Sequence, residues 1–270
     1  MARYSSPKSS DYAPAKKSLG QNFLTDSSVI DRIVDTLGDI DGKDVIEIGP
    51  GRGALTRPLI ERGAKLTVVE LDDPLAAKLS SDYKDEPNFR CLHTNVLNVD
   101  FSTISSNDTV IIGNLPYYIS TAIIRHLIRY RTDFSRLVLM LQREVADRII
   151  ALPDDSDRGF LTVLVEQYLT VKKEFDVAPS AFTPRPKVWS SIVSLEPRND
   201  TIADDSAFER LVGASFVQKR KTILNNLKGY EANSSELLDK AAVDPKRRAE
   251  TLNRDEWIRL YSVFQRSKKA

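Results

Sequence analysis

Three short stretches of this chain set chemically useful residue types at useful spacings. "EIGPGRGALT" (47–56) places Gly49, Gly51 and Gly53 at alternate positions directly after an apolar run. Glycine lets the backbone turn sharply and lets a ligand approach where a Cβ would clash. Nineteen residues beyond Gly51, Glu70 ends the next apolar run, where a carboxylate can accept both hydroxyls of a ribose. The third stretch, "IIGNLPYYIS" (111–120), passes from two isoleucines into Asn114, Leu115, Pro116 and Tyr117. The side-chain oxygen of Asn114 and the carbonyl of Leu115 can hold both hydrogens of an exocyclic amine, favouring the tetrahedral form whose lone pair attacks. Pro116 fixes φ and brings no competing N–H, and Tyr117 offers a ring for base stacking. Asn95, in "HTNVLN", adds an amide that can meet the edge of an adenine ring.

These residues need a frame that brings them to one edge. "DVIEIG" (44–49), "KLTVVE" (65–70), "FRCLH" (89–93), "TVIIGN" (109–114) and "RLVLMLQ" (136–142) are short aliphatic runs separated by helical-looking segments. That alternation predicts a parallel sheet covered by helices on both faces, with ligands at the carboxyl ends of its strands. "YLTVKKEFDV" (168–177) and "VWSSIVSLE" (188–196) are expected to finish the sheet, joined by the Pro-rich "APSAFTPRPK". Ahead of it, Val29, Ile30, Ile33, Val34 and Leu37 repeat at helical spacing and stop at Gly38. After residue 198 the chain turns to Lys/Arg-rich amphipathic helices, including "RKTILNNL". The expected division is a flexible basic arm (1–18), an α/β domain (19–198) and a small helical domain (199–270).

With 41% hydrophobic and 29% charged residues, the composition is that of an ordinary globular protein. One cysteine, Cys91, and two histidines argue against a disulfide framework or a zinc site, so no metal is expected. His93 and His126 read as structural or surface residues. No run approaches the roughly 20 apolar residues of a membrane span, and "MARYSSPKSS" lacks a signal-peptide core, so a cytoplasmic monomer is expected. The net charge of +1 hides a polarity: residues 1–20 hold four Lys/Arg against one Asp, and residues 216–270 hold thirteen against seven acidic residues. Basic ends on an acidic middle suit a polyanionic partner.

The glycine and acidic spacing alone leaves NAD and S-adenosylmethionine both open. "E-x-G-x-G-x-G" from Glu47 resembles the first motif of S-adenosylmethionine-dependent methyltransferases, whereas "GPGRGA" breaks the G-x-G-x-x-G of dehydrogenases. In order, "KKSLGQNFL", "EIGPGRGALT", "VVELDD", "GNLPYYIST", "LMLQREVADRI", "SAFTPRPKVWSSIV", "FVQKRKTILNNL" and "RRAETLNRDEW" resemble the signatures of KsgA-type small-subunit ribosomal RNA adenine N6,N6-dimethyltransferases. The resemblance covers nearly the whole chain after the arm. It implies a class I S-adenosylmethionine-dependent (Rossmann-like) sheet with a small C-terminal α-helical domain. It also implies dimethylation of two adjacent adenosines near the 3′ end of small-subunit rRNA, in a pre-ribosomal 30S-type particle. Asn22 and Leu24 would join Gly49, Gly51, Glu70, Asn95 and Asn114 around the cofactor, and Phe182 would hold the flipped base against Tyr117. Lys219, Arg220 and Lys221 would seek phosphates. Two departures stand out: Asn95 replaces the family's usual Asp, and Lys219 replaces the first Arg of an Arg-Arg-Lys, which changes a bidentate contact into a point charge. The rival readings are a resistance-type methyltransferase of large-subunit rRNA, a DNA adenine methyltransferase, and a non-catalytic assembly or transcription factor.

Overall fold

The computed structural model describes residues 15–16, 20–200, 202 and 205–269. Most of the arm expected at 1–18 therefore lies outside the described residues. Among the described residues nine strands are formed: β1 (Phe23–Leu24), β2 (Asp44–Ile48), β3 (Lys65–Glu70), β4 (Phe89–His93), β5 (Val110–Asn114), β6 (Arg136–Gln142), β7 (Leu169–Val177), β8 (Phe182–Thr183) and β9 (Ser190–Pro197). Seven of them make one sheet in the order β4-β3-β2-β5-β6-β9-β7. The pairs β3/β4, β2/β3, β2/β5 and β5/β6 are parallel, and β6/β9 is antiparallel.

Burial along the strands shows why both faces must be covered. Val45, Val68, Ile112, Val138 and Met140 lie on one face and pack with Ile30, Ile33 and Val34 of the helix Ser27–Asp35. Their alternates, Ile46, Val69, Ile111, Leu137 and Leu139, point the other way and are equally buried. The helix starts where Asp26 accepts hydrogen bonds from the Ser28 and Val29 N–H groups, a cap worth about 1 kcal/mol.

Chain direction opens the crevice. After β2 the chain builds outward through β3 and β4, then returns to pair β5 with the other side of β2. The loops leaving β2 and β5 diverge at their carboxyl ends, the switch point at which open α/β sheets bind ligands. Gly113 is required at this junction: a Cβ there would meet the Ile48 carbonyl at 2.8 Å.

Two features escaped the sequence pattern. β1 and β8 form a separate antiparallel pair, Phe23 opposite Thr183 and Leu24 opposite Phe182. It ties the segment before the first helix to the Pro-rich loop, reinforced by Thr25 N–H donating to the Ala181 carbonyl at 2.8 Å. The compact units also divide differently from a single cut near residue 199. One unit runs up to residue 146 and resumes at 172–197; the other takes 147–171 together with the chain from 198. The helix Phe160–Tyr168 explains this, being buried almost all round, with Tyr168 edge-on to Phe208 at 6.1 Å. Within the same unit, fully buried Arg158 donates to the carbonyls of Ala151 and Leu252, at 3.0 Å each, and pairs with Glu166.

Candidate active site

The crevice is built outward from β2. Gly49 leaves the strand with φ +67° while its N–H donates to the Val69 carbonyl at 2.9 Å, keeping the turn tied to β3. Gly51, at φ +58°, packs under the Phe23 ring, where a Cβ would come within 3.1 Å. The Arg52 guanidinium covers that ring at 4.3 Å.

Glu70 holds the loop as well as facing the crevice. Its Oε2 accepts from the Gly51 N–H at 3.1 Å, and its Oε1 from the N–H groups of Leu71 and Asp72, both at 2.9 Å. A carboxylate has about four acceptor sites, so about one is left for a ligand hydroxyl. Burial raises the Glu70 pKa, against the lowering effect of these three bonds. Beside it Glu47 is 1% exposed and accepts from the Thr56 hydroxyl at 2.6 Å. Burial pushes its pKa to about 8, with the nearby Glu70 adding to the rise.

The amide of Asn114 is oriented by chemistry. Its Nδ2 donates to the Asn22 carbonyl at 3.3 Å, which leaves Oδ1 as the acceptor. The Leu115 side chain is buried and its N–H donates to the Met140 carbonyl at 3.2 Å. Leu115 and Pro116 line the crevice with Asn114. Tyr117 bonds Ser190 through its hydroxyl at 2.8 Å, and burial raises its pKa. That anchor sets the ring at the crevice wall.

Asn95 shows the complementary arrangement. Its Oδ1 accepts from the Leu97 N–H at 3.0 Å, capping the 3-10 turn Val96–Asn98. The atom left for the crevice is Nδ2, a donor, where an aspartate would present a second acceptor. Asn22 donates to the Gly20 carbonyl at 3.1 Å, and Leu24 is 6% exposed at the crevice base.

Thus Asn22, Leu24, Gly49, Gly51, Glu70, Asn95 and Asn114 through Tyr117 all line one crevice. Phe182 does not: it is 3% exposed and packs with Leu24, Val177 and Ala181 in the core. Lys219, Arg220 and Lys221 belong to the other unit and are exposed. They were expected on a basic helix but lie in the turn before the short helix Ile223–Leu227, which Thr222 caps. Lys219 donates to the Ser156 carbonyl.

Sequence reasoning passed over Gln21 and Asp72. Asp72, 4% exposed, accepts from Lys16 Nζ at 2.8 Å and Gln21 Nε2 at 3.0 Å. Burial pushes its pKa up, but these bonds outweigh it and the net shift is downward. The histidines stay outside the crevice: His93 meets Asp73 at 2.6 Å, and His126 Nε2 lies 2.9 Å from the Val99 carbonyl, its ring edge-on to Phe101. Among the described residues no cluster of three or more His, Cys, Asp or Glu could hold a metal, and no helix is long and apolar enough to cross a membrane.

A parallel sheet with a glycine loop and a strand-end Asn114 lining one crevice at its switch point has the Rossmann-like architecture of class I methyltransferases. Among solved structures, a dimethyladenosine transferase from Plasmodium falciparum superposes with a TM-score of 0.77 at 25% identity, covering 91% of this chain and 98% of that one. The 23S rRNA methyltransferase ErmE gives 0.65 at 26% identity, covering 90% and 100%. Residues 13–266 match the family described as ribosomal RNA adenine dimethylase, and the chain belongs to that family. It is 40% identical to the Ribosomal RNA small subunit methyltransferase A of Clostridium acetobutylicum over 93% of this chain and 94% of that protein. The protein of the same name from Bacillus pumilus is 38% identical, with 93% and 92% covered.

Proposed function

We propose that this enzyme transfers methyl groups from S-adenosylmethionine to the N6 amines of two adjacent adenosines near the 3′ end of small-subunit rRNA, in a 30S-type assembly particle. The observation that carries this reading is the fixed amide of Asn114, whose Nδ2 is spent on the Asn22 carbonyl so that Oδ1 accepts. The names of the relatives at 40% and 38% identity favour the small subunit over the large-subunit substrate named for ErmE, at 26%.

The residues fit the methyl donor. Gly49 and Gly51 make a cradle that side chains would fill, Glu70 keeps an acceptor site for a ribose hydroxyl, and Asn95 offers a donor for which N1 of an adenine ring is the matching acceptor. Bound there, S-adenosylmethionine supplies an electrophilic methyl on sulfonium and leaves as the neutral thioether. Asn114 Oδ1 and the Leu115 carbonyl hold the two N6 hydrogens, drawing the nitrogen towards the tetrahedral form. Tyr117, anchored by Ser190, stacks the base. As the N6–carbon bond forms, one N–H proton passes to water. The second round finds one hydrogen left on nitrogen, which either acceptor can hold.

Phe182 supports the reaction by pinning β8 to β1, which carries Leu24 and follows Asn22. A direct stacking role would need its ring to leave the core. Lys219, Arg220 and Lys221 supply phosphate contacts that position the RNA, and the enzyme acts as a monomer in the cytoplasm, where its substrate assembles. The test is Asn114→Ala. Methyl transfer to unmethylated small subunits falls by at least 10²-fold, in the range for loss of one preorganised polar contact, while cofactor affinity stays within several-fold. Undiminished turnover would refute the clamp.

A further inference from the structure

The helical unit contains a second concavity that the crevice chemistry does not use. It is a groove of about 490 Å³, within the ~300–1,000 Å³ of small-ligand clefts, between the helices Asp205–Ser215 and Ile223–Leu227. We propose that it holds one unpaired RNA nucleotide, with the base on Tyr230 and the phosphate on Arg210 and the Lys219–Lys221 turn. This rests on the reading of the enzyme as acting on rRNA.

Four observations support the assignment. Tyr230 is 36% exposed, and its ring stacks on Phe264 at 5.7 Å and 27°, which makes it a rigid platform with one face already backed. Val217 is 71% exposed on the wall, an aliphatic residue left uncovered although its neighbour Phe216 is stacked on Trp257. The wall itself is held: Asn226 accepts from the Gln218 N–H at 2.9 Å and donates to the Gln218 carbonyl at 3.1 Å. The side-chain amides of Gln218 and Asn225, by contrast, make no hydrogen bond among the described residues and can each offer a donor and an acceptor to a base edge.

Charge selects the occupant. Among the described residues Arg210 is the one charged residue lining the groove, and the lining residue Gln218 leads directly into Lys219, Arg220 and Lys221. Nearby Glu231 is already paired with Lys268 at 2.7 Å. An aromatic platform, sequence-tolerant amides and a cationic rim are the parts with which proteins hold single-stranded nucleotides. Duplex RNA would present stacked bases that cannot reach the ring.

The test uses the full chain carrying Tyr117→Ala, so that the crevice does not stack the probe. The probe is an oligouridine strand with one central 2-aminopurine, whose fluorescence falls on stacking. Binding should quench it, and Tyr230→Leu, Asn225→Ala and Val217→Ser should each weaken binding, Tyr230→Leu by about 5- to 100-fold. A duplex of equal charge should be bound equally by all. Val217 and Asn225 are exposed, so their variants keep the test valid if Tyr230→Leu disturbs folding. Unchanged fluorescence, or affinities within twofold for all three variants, would overturn the proposal. So would variants that bind the strand normally but lose a ribosomal protein, since that would make the groove a protein site. Methylation of small subunits by the otherwise native enzyme is measured alongside: activity without quenching sinks the groove alone, and quenching without activity sinks the proposed reaction alone.

Discussion

The crevice and the basic turn of the helical unit handle polar groups in opposite ways. In the crevice most hydrogen-bonding atoms are already committed: Glu70 to three N–H groups, Asn114 to Asn22, Asn95 to Leu97 and Tyr117 to Ser190. Each commitment fixes which atom remains for a ligand. In the helical unit Lys219, Arg220 and Lys221 are exposed, and the groove amides of Gln218 and Asn225 are uncommitted. One region is preorganised for atoms at defined places; the other presents charge that tolerates many backbone positions.

This contrast can be broken most forcefully at the turn. Replacing Lys219, Arg220 and Lys221 together by Ala should weaken binding to small subunits by about 10²-fold at low salt. It should also flatten the log–log salt dependence by about two, as expected when three phosphate contacts are removed. A preserved slope would mean these charges do not meet phosphate.

A single methyl should matter in the crevice where three charges are needed outside it. Gly51→Ala puts a Cβ at φ +58° and within 3.1 Å of the Phe23 ring, and cofactor affinity should drop about 10-fold by calorimetry. Wild-type affinity in that variant would show the loop to be pliable.

Glu47 sharpens the comparison through pH. Its folded pKa of about 8 lies above the usual 4.5 of a free Glu. The folded state therefore keeps a proton that the unfolded state loses between these values, so this group favours folding below about 4.5 and loses that benefit as pH rises towards 8. Glu47→Gln removes the dependence. Its Tm relative to wild type should climb between pH 5 and pH 8, by up to about 1.4 kcal/mol of stability per pH unit. A constant offset would mean Glu47 is ionised in the fold.

The smallest effect is expected at Asn95. With Oδ1 committed to Leu97, Asn95→Asp exchanges the remaining donor for an acceptor, which suits the 6-amino group of adenine rather than N1. Affinity for S-adenosylhomocysteine should change several-fold while its inosine analogue moves in the opposite sense. Parallel shifts would place the adenine elsewhere.

The same contrast explains what could be read from sequence. β3 and β6 match the runs 65–70 and 136–142 end for end, because strands buried on both faces must be nearly continuous aliphatic runs; β4 also matches 89–93, although as the edge strand it buries no residue fully. The glycine loop and Asn114–Tyr117 followed, since a strand end and the next turn fix their place. Elements set by distant partners were not legible. β1 and β8 have two residues each and exist through pairing across the chain, so no period reveals them. The family resemblance makes Phe182 a stacking ring, but its pairing in β8 places it in the core, which no residue pattern in the Pro-rich loop reveals. "RKTILNNL" was read as one helix, but Thr222 starts the helix after the cations, leaving them in the turn. The all-round burial of Phe160–Tyr168 moved 147–171 into the helical unit, which a composition boundary at residue 199 could not show.

The choice of substrate is tested by incubating the purified enzyme with labelled S-adenosylmethionine and unmethylated ribosomal subunits, small and large in parallel. Nuclease digestion and mass spectrometry then locate the label. N6,N6-dimethyladenosine is expected at two adjacent positions near the 3′ end of the small-subunit rRNA, and none in the large subunit. Label confined to large-subunit RNA, or no label in either, would contradict the proposed reaction.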